Sequence, residues 1–246
     1  MNLTIDTGNT RTKFAVFDAD NIVASGILEN TQQYTALFGQ YPIEAVIASS
    51  VGQDIDFQSI TPEQAHFYTL GPQLPLPIVI DYETPETLGP DRIAACVGAA
   101  ALFPSRNCLV IDAGTCITVD LIDINGIFDG IAILPGLTMK FEALHTFTKK
   151  LPLLHLSDVN ELNKRGSGST RMSILSGVYI ATLLELYGFY DMYSIDHEEL
   201  KAVITGGDGL LLEQKLKCGD IDTNYVKDLT LIGLNKILEY NENQNK

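Results

Sequence analysis

A chain of 246 residues, 46% of them hydrophobic, can bury a sizeable core as one large domain or two modest ones and is not a disordered chain. Its formal net charge of −15 opposes binding to nucleic-acid backbones and to anionic membranes. The longest uninterrupted apolar stretch, residues 93–103, is about half the ~20 residues that a bilayer-spanning helix needs.

The first six residues, Met1 to Asp6, lack a basic n-region and carry an acid at position 6. They do not read as a signal peptide, so the fold is expected to begin at the first residue and the compartment to be the cytoplasm. The run Leu3-Thr4-Ile5 then meets the turn residues Asp6-Thr7-Gly8-Asn9-Thr10, and a strand-like return follows from Lys13 to Phe17. A second turn at Asp18-Ala19-Asp20-Asn21 predicts a three-stranded meander. A helix is expected over residues 31–41 and a buried strand over 43–50. Gly89-Pro90 marks the start of a helix running to Phe103, with small residues suited to close packing. A weak boundary near Pro104-Ser105-Arg106-Asn107 divides the sequence into 1–104 and 105–246.

Leu109-Val110-Ile111-Asp112-Ala113-Gly114-Thr115 then repeats the opening pattern. It has its own return, Ile117 to Ile122, and its own second turn, Asp123 to Gly126. A helix is expected over 170–187, with Ile174, Val178, Ala181 and Leu184 or Leu186 on one face. A short strand over 200–204 runs into Thr205-Gly206-Gly207, and a last helix spans 229–240. The polar residues 241–246 read as a frayed tail. The cysteines, Cys96, Cys108, Cys116 and Cys218, show no metal-site spacing and read as small buried thiols in a reducing compartment.

Two Asp-x-Gly turns in matching contexts predict two lobes facing each other across a nucleotide cleft between Asp6 and Asp112. Glycine lets backbone N–H groups approach an anion, and successive N–H groups form a concavity for phosphate. An aspartate at a strand end can hold a hydrated cation beside phosphate oxygens. With Gly206-Gly207 as a wall for the nucleoside, the order phosphate, phosphate, adenosine resembles the actin/sugar-kinase/Hsp70 superfamily. In the segment Tyr82 to Arg92, Asp91 complements the helix dipole, whereas Arg92 opposes it and so implies another duty. A fixed carboxylate beside a bidentate anion binder suits a kinase whose acceptor carries a hydroxyl and a carboxylate.

These residues resemble the type III pantothenate kinase family. Its Asp-x-Gly-Asn-Thr-x-x-Lys motif is matched by Asp6, Thr7, Gly8, Asn9, Thr10, Arg11, Thr12 and Lys13. Its Tyr, Pro, Leu-Gly-x-Asp-Arg pattern is matched by Tyr82, Pro85 and Leu88-Gly89-Pro90-Asp91-Arg92. Asp112, Gly114, Thr115 and Thr118, the turn Pro135-Gly136-Leu137, the helix start at Thr170 with Ser176-Gly177, and Gly206-Gly207 complete the resemblance. It implies two ribonuclease-H-like lobes, each a mixed β-sheet with flanking helices, and ATP-dependent phosphorylation of pantothenate to 4'-phosphopantothenate, the first step of coenzyme A biosynthesis. Asp91 is the implied general base. Tyr82, Gly89, Pro90, Arg92 and Thr170 are the implied contacts to pantothenate. Residues 6–13 with Gly114, Thr115, Gly206 and Gly207 are the implied ATP site. The resemblance also implies Mg²⁺ with ATP, at Asp6, and a monovalent cation, K⁺ or NH₄⁺, at Asp112. It implies a homodimer, for which the small-residue helix Ile93 to Ala101 and the helix after Thr170 are candidate surfaces.

Three positions depart from the family pattern. Ile131 follows Gly130 where a second glycine is usual, and is expected to crowd the pocket floor. Ser169 stands where Asn or Asp precedes the helix threonine, and Ser also caps helices. Cys116 replaces a small residue such as Ala, for which packing is the expected role. A ligand-sensing regulator on the same fold, or a kinase for another small hydroxylated acceptor, are the alternatives; retention of Asp91, Arg92 and both turns speaks against the first.

Overall fold

A computed structural model describes residues 1–50, 55–162, 168–219 and 221–244. Eleven strands lie in two sheets among these residues. The first sheet contains β1 (Asn2–Thr7), β2 (Thr12–Asp18), β3 (Asn21–Leu28), β4 (Ala45–Ser50) and β5 (His66–Thr69) in the order β3-β2-β1-β4-β5. Strands β1, β2 and β3 form the expected antiparallel meander, and β4 and β5 add to β1 in parallel. The second sheet uses β6 (Val79–Asp81), β7 (Cys108–Ala113), β8 (Cys116–Ile122), β9 (Ile127–Pro135), β10 (Lys201–Thr205) and β11 (Thr223–Tyr225) in the order β11-β10-β7-β8-β9-β6. Read from its other edge, β9-β8-β7-β10-β11 repeats the order of the first sheet, with β6 appended. The sequence repeat is therefore a repeat of topology.

The helices are α1 (Thr31–Gln40), α2 (Phe57–Ile60), α3 (Pro90–Leu102), α4 (Leu137–Thr146), α5 (Thr170–Leu175), α6 (Ala181–Ser194), α7 (Gly209–Leu216) and α8 (Leu229–Gln244). Asn30 caps α1 by accepting from the Gln33 N–H, and Ser169 caps α5 by accepting from the Met172 N–H, as expected of a serine there.

The chain packs as two compact units. One holds residues 1–108, 120–130 and 228–246; the other holds 109–119 and 131–227. They interleave along the sequence because α8 returns to the first unit. There Leu231, Leu234, Ile237 and Leu238 join Ala15, Phe17, Ala45, Ile47, Ala94 and Val97 in one core. Helices α3 and α8 meet through glycines: a Cβ at Gly98 would lie 2.6 Å from the Leu229 carbonyl oxygen, and one at Gly233 would overlap the Ala94 carbonyl. Ala94, Ala95, Gly98 and Ala99 of α3 are thus buried within the same chain, whereas Ala101 is exposed.

Three expectations change. Residues 241–244 are helical rather than frayed: Asn241 is buried and donates to the Pro75 and Ile237 carbonyls, while Glu242 accepts from Tyr68. Between α5 and α6 a π turn at Ser176–Ile180 inserts a residue into the helical repeat. The buried stripe therefore passes from Ile174 and Val178 to Thr182, Leu183 and Leu186, leaving Leu184 65% exposed. Cys96 and Cys108 are buried, but Cys116 is half-buried and Cys218 exposed.

The continuous stretch 170–194 is long and apolar enough to cross a membrane by length and composition. In the second unit it packs by one side only. The hydroxyls of Tyr179, Tyr187 and Tyr190 donate to the carbonyls of Leu211, Leu216 and Leu200, and Glu185 accepts from Lys140.

Candidate active site

The first turn joins β1 to β2, with Thr7 and Thr12 paired across it. The Gly8 N–H closes it on the Arg11 carbonyl at 3.1 Å. Asn9, Thr10 and Arg11 stay exposed, as does Lys13 on the return strand. An open cleft of about 550 Å³ runs along residues 7–12 and is bounded by Ile27, Leu28, Glu29 and Ile55. Asp6 lies opposite Lys13 on β2 and opposite Ser49 on β4, and the Ser49 hydroxyl donates to its Oδ1 at 2.8 Å. Burial pushes the Asp6 carboxyl above its usual range. Ser49 pulls it down, the charge of Asp91 raises it and Lys13 lowers it. The turn thus offers N–H donors and hydroxyls around an acidic strand end.

The acceptor segment follows β6. A 3₁₀ turn at Pro85–Thr87 leads to Gly89, the N-cap of α3, and Pro90 fills the first helical position. Asp91 Oδ1 accepts the Arg92 backbone N–H at 2.9 Å, so its carboxylate is held at the helix start. Gly89 is needed for that placement, since a Cβ there would lie 2.5 Å from Asp91 Oδ1.

The Arg92 side chain answers the question its dipole-opposed position raises. It is buried and pairs with Asp120 on β8, donating through Nε at 3.1 Å and through Nη2. Its guanidinium carbon sits 5.7 Å from the Tyr82 ring centre and 6.0 Å from that of Phe128, and those rings meet edge-on at 6.3 Å. Burial pushes the Asp120 carboxyl up to about 6 against the pull of Arg92, with Asp91 and Asp129 adding to the rise. Burial opposes the Arg92 charge, but Asp120 and Tyr82 together hold its pKa above the ordinary value. A Cβ at Gly130 would lie 2.6 Å from Tyr82 Cε2 and 2.9 Å from Arg92 Nη2, so only glycine leaves room for this stack. Ile131, the next residue of β9, points to the opposite face by strand alternation and does not crowd that floor. Beside the stack a cleft of about 410 Å³ is lined by Asp81, Tyr82, Glu83, Thr84, Asp129 and Gly130.

The second turn is tighter. Gly114 and Thr115 alone join β7 to β8, and the Gly114 N–H bonds the Cys116 carbonyl at 2.9 Å. Two glycines from later in the chain press against it. The Gly136 N–H donates to the Thr115 carbonyl at 3.1 Å, and a Cβ at Gly136 would lie 2.5 Å from that oxygen. Gly206, at φ +90, has no room for a Cβ beside the Ala113 carbonyl and Asp112 Oδ1, which would lie 2.5 Å away. Gly207 faces open space, and Asp208 begins α7 with its carboxyl pushed up by burial. Asp112, Gly114, Thr115, Gly206 and Gly207 are thus one cluster in the second unit. Thr170 is exposed at the start of α5, where Arg171 pairs with Asp158 and Glu161, each at 2.9 Å.

Sequence reasoning missed Asp120 and Phe128 and took Gly130 only as a motif variant. An acid inside the apolar run Cys116–Ile122 is the signal that marks Asp120.

The sequence model of the type III pantothenate kinase family matches residues 2–191. The type III pantothenate kinase of Cytophaga hutchinsonii is 41% identical over 98% of this chain and 100% of its own; that of Christiangramia forsetii is 36% identical over 99% and 100%. Among solved structures, a Campylobacter jejuni protein described as a Baf family transcriptional activator superposes with a TM-score of 0.66 at 23% identity, covering 98% of this chain and 99% of its own. The activator of 2-hydroxyisocaproyl-CoA dehydratase from Clostridium difficile, with bound ADPNP, gives 0.56 at 13% over 99% and 97%. At such identities these structures share the fold alone, a two-sheet α/β architecture of the actin/sugar-kinase/Hsp70 type. The full-length sequence matches carry more, and with both Asp-x-Gly turns and the Tyr82–Arg92 segment in place, the chain belongs to the type III pantothenate kinase family.

Proposed function

We propose that this chain transfers the γ-phosphoryl group of ATP to the hydroxyl of pantothenate, giving 4'-phosphopantothenate in the first step of coenzyme A biosynthesis. The observation that carries this reading is the acceptor segment: Asp91 held at a helix start, followed by an arginine fixed against two aromatic rings, with Tyr82 also lining a cleft. Phosphoryl transfer asks a protein mainly for positioning and charge stabilisation. Asp91 takes the proton of the acceptor hydroxyl as it attacks. Arg92 and Tyr82 receive the pantothenate carboxylate, with Gly89, Pro90 and Thr170 completing the acceptor contacts. The N–H groups and hydroxyls of residues 7–12, with Lys13, are ATP contacts of the first turn, and Gly114, Thr115, Gly206 and Gly207 are ATP contacts of the second.

A kinase of this fold uses ATP with a divalent cation. The carboxylate of Asp6, bonded by Ser49, is a hard oxygen donor suited to hydrated Mg²⁺, which would neutralise phosphate oxygens. Asp112, confined by Gly206 and close to backbone carbonyls, offers the oxygen set that K⁺ or NH₄⁺ would need. Ile180, Leu184 and Met192, exposed along one side of the helix after Thr170 with Gly177 and Gly188, support a homodimer packed through that face. A cytoplasmic site of action follows from the substrates.

The test is ATP consumption against a panel of pantothenate, pantetheine and sugars, with the phosphorylated product identified by mass. Turnover only with a sugar would move the chain to another acceptor class. ATP binding without turnover on any acceptor would make it a sensor.

A further inference from the structure

Asp120 has no part in the roles assigned above, yet it is the most buried acid near the acceptor segment, 1% exposed, between Val119 and Leu121. A carboxylate in such a strand is tolerated only when fully paired. Its partner, Arg92, is one of the two side chains assigned to the acceptor's carboxylate. Asp120 takes Nε and one N–H of Nη2 of the Arg92 fork and Tyr82 also interacts with it, so a second anion is left the donors on the edge away from Asp120. The ring faces of Tyr82 and Phe128 and the missing Cβ of Gly130 fix the plane of the group on its other sides.

We infer that Asp120 is a positioning residue for the acceptor: it clamps one edge of the Arg92 guanidinium so that the free edge meets the substrate carboxylate beside the cleft lined by Tyr82 and Gly130. This rests on the reading that pantothenate is the acceptor. The same geometry makes a distinct prediction from a latch, in which Asp120 would compete with the substrate for Arg92. Loss of a clamp weakens acceptor binding, whereas loss of a latch tightens it.

The experiment compares the full-length wild type, Asp120→Asn, Arg92→Ala and the double variant in steady-state assays with pantothenate and ATP varied in turn. A clamp requires Asp120→Asn to raise the pantothenate KM by about 10–100-fold, the range for a charge-assisted contact. It also requires kcat to stay within about threefold and the ATP KM to remain unchanged. The double variant should be no worse than Arg92→Ala alone, because Asp120 acts only through that side chain. An unchanged or lowered pantothenate KM, or additive losses in the double variant, overturns the proposal while leaving the pantothenate reading intact. A wild type inactive on pantothenate overturns both.

If Asp120→Asn does not fold, ¹⁵N NMR of the wild type decides, with the Arg92 Nε–H signal assigned through Arg92→Lys. A signal slow to exchange both without and with saturating pantothenate supports the clamp. Its loss on adding pantothenate identifies a latch and overturns the proposal.

Discussion

Replacing Gly89 with alanine tests the chemistry assigned to Asp91 without touching that residue. Gly89 has φ −57 and ψ 126, a conformation open to alanine and preferred before proline. No backbone strain is introduced. The added Cβ, however, would sit 2.5 Å from Asp91 Oδ1, 3.6 Å from Asp91 Cγ and 3.7 Å from Arg92 Cδ. Close C···O contacts settle near ~3.3 Å, so the carboxylate oxygen must move by at least ~0.8 Å. A displacement of about 1 Å in a reacting group can lower a rate by about 10²-fold. Removing a general base altogether, as in Asp91→Asn, lowers it by ~10²–10⁴-fold. Gly89→Ala should therefore reduce kcat by roughly 10–10², less than Asp91→Asn, with the ATP KM unchanged. Stability should hardly move. Weakening the bond from the Arg92 N–H costs about 0.5–1.5 kcal/mol, and restricting the unfolded chain returns about 0.4–1 kcal/mol. Coupled ADP release and a thermal melt on one sample give both numbers. A Gly89→Ala enzyme with wild-type kcat would refute the placement of Asp91 as the base. A large fall in melting temperature would refute the claim that only the carboxylate is displaced.

Above pH about 6 Asp120 is ionised and grips Arg92; below it the carboxyl takes a proton and the grip slackens. The pantothenate KM should thus rise as pH falls through about 6, and Asp120→Asn should show a flat profile in KM; Asp91 and Asp129 also face this carboxyl, so KM rather than kcat is the readout. Gly206→Ala forces a left-handed φ on a residue with no space for its methyl, and should destabilise the chain by about 1–3 kcal/mol in chemical denaturation. Activity should be lost with excess chelator and should fall when sodium replaces K⁺ or NH₄⁺; full activity in either condition removes that cation from the scheme. Leu184→Glu, on the exposed side of the helix after Thr170, should convert a dimeric mass in solution to a monomeric one without lowering the melting temperature of the monomer; an unchanged dimer would move the interface elsewhere.

The parts of the molecule legible in the sequence are those encoded over short spans. Asp6 to Lys13 and Asp112 to Thr118 each carry their strand, turn and return within a dozen residues, and both hairpins form where expected. The helix start at Gly89-Pro90 is equally local. What could not be read depends on partners far along the chain. Arg92 announces a missing partner by opposing its helix dipole, but the partner is 28 residues away on another strand. The edge strands β5, β6 and β11 are three or four residues long, too short to show a period. The π turn shifts the buried face of its helix by one residue, which no regular periodicity predicts; of the two residues the spacing offers for that face, Leu186 is buried and Leu184 lies outside. Polarity suggests a frayed tail, yet Asn241 and Glu242 use their polar groups to bond Pro75, Ile237 and Tyr68.

The return of α8 to α3 also orders events in time. The sheet built from residues 2–50 has its meander and parallel strands as soon as those residues are synthesised, but the face that carries Ala15, Phe17 and Ile47 is closed by Leu231, Leu234 and Leu238. Asn235 completes the seal, accepting from Asn2 and donating to the Ala19 carbonyl. On the ribosome, at about 5–20 residues per second, some 180 residues separate β4 from its cover, which leaves an apolar face exposed for about 10–40 seconds. The first unit to be made is therefore the last to close.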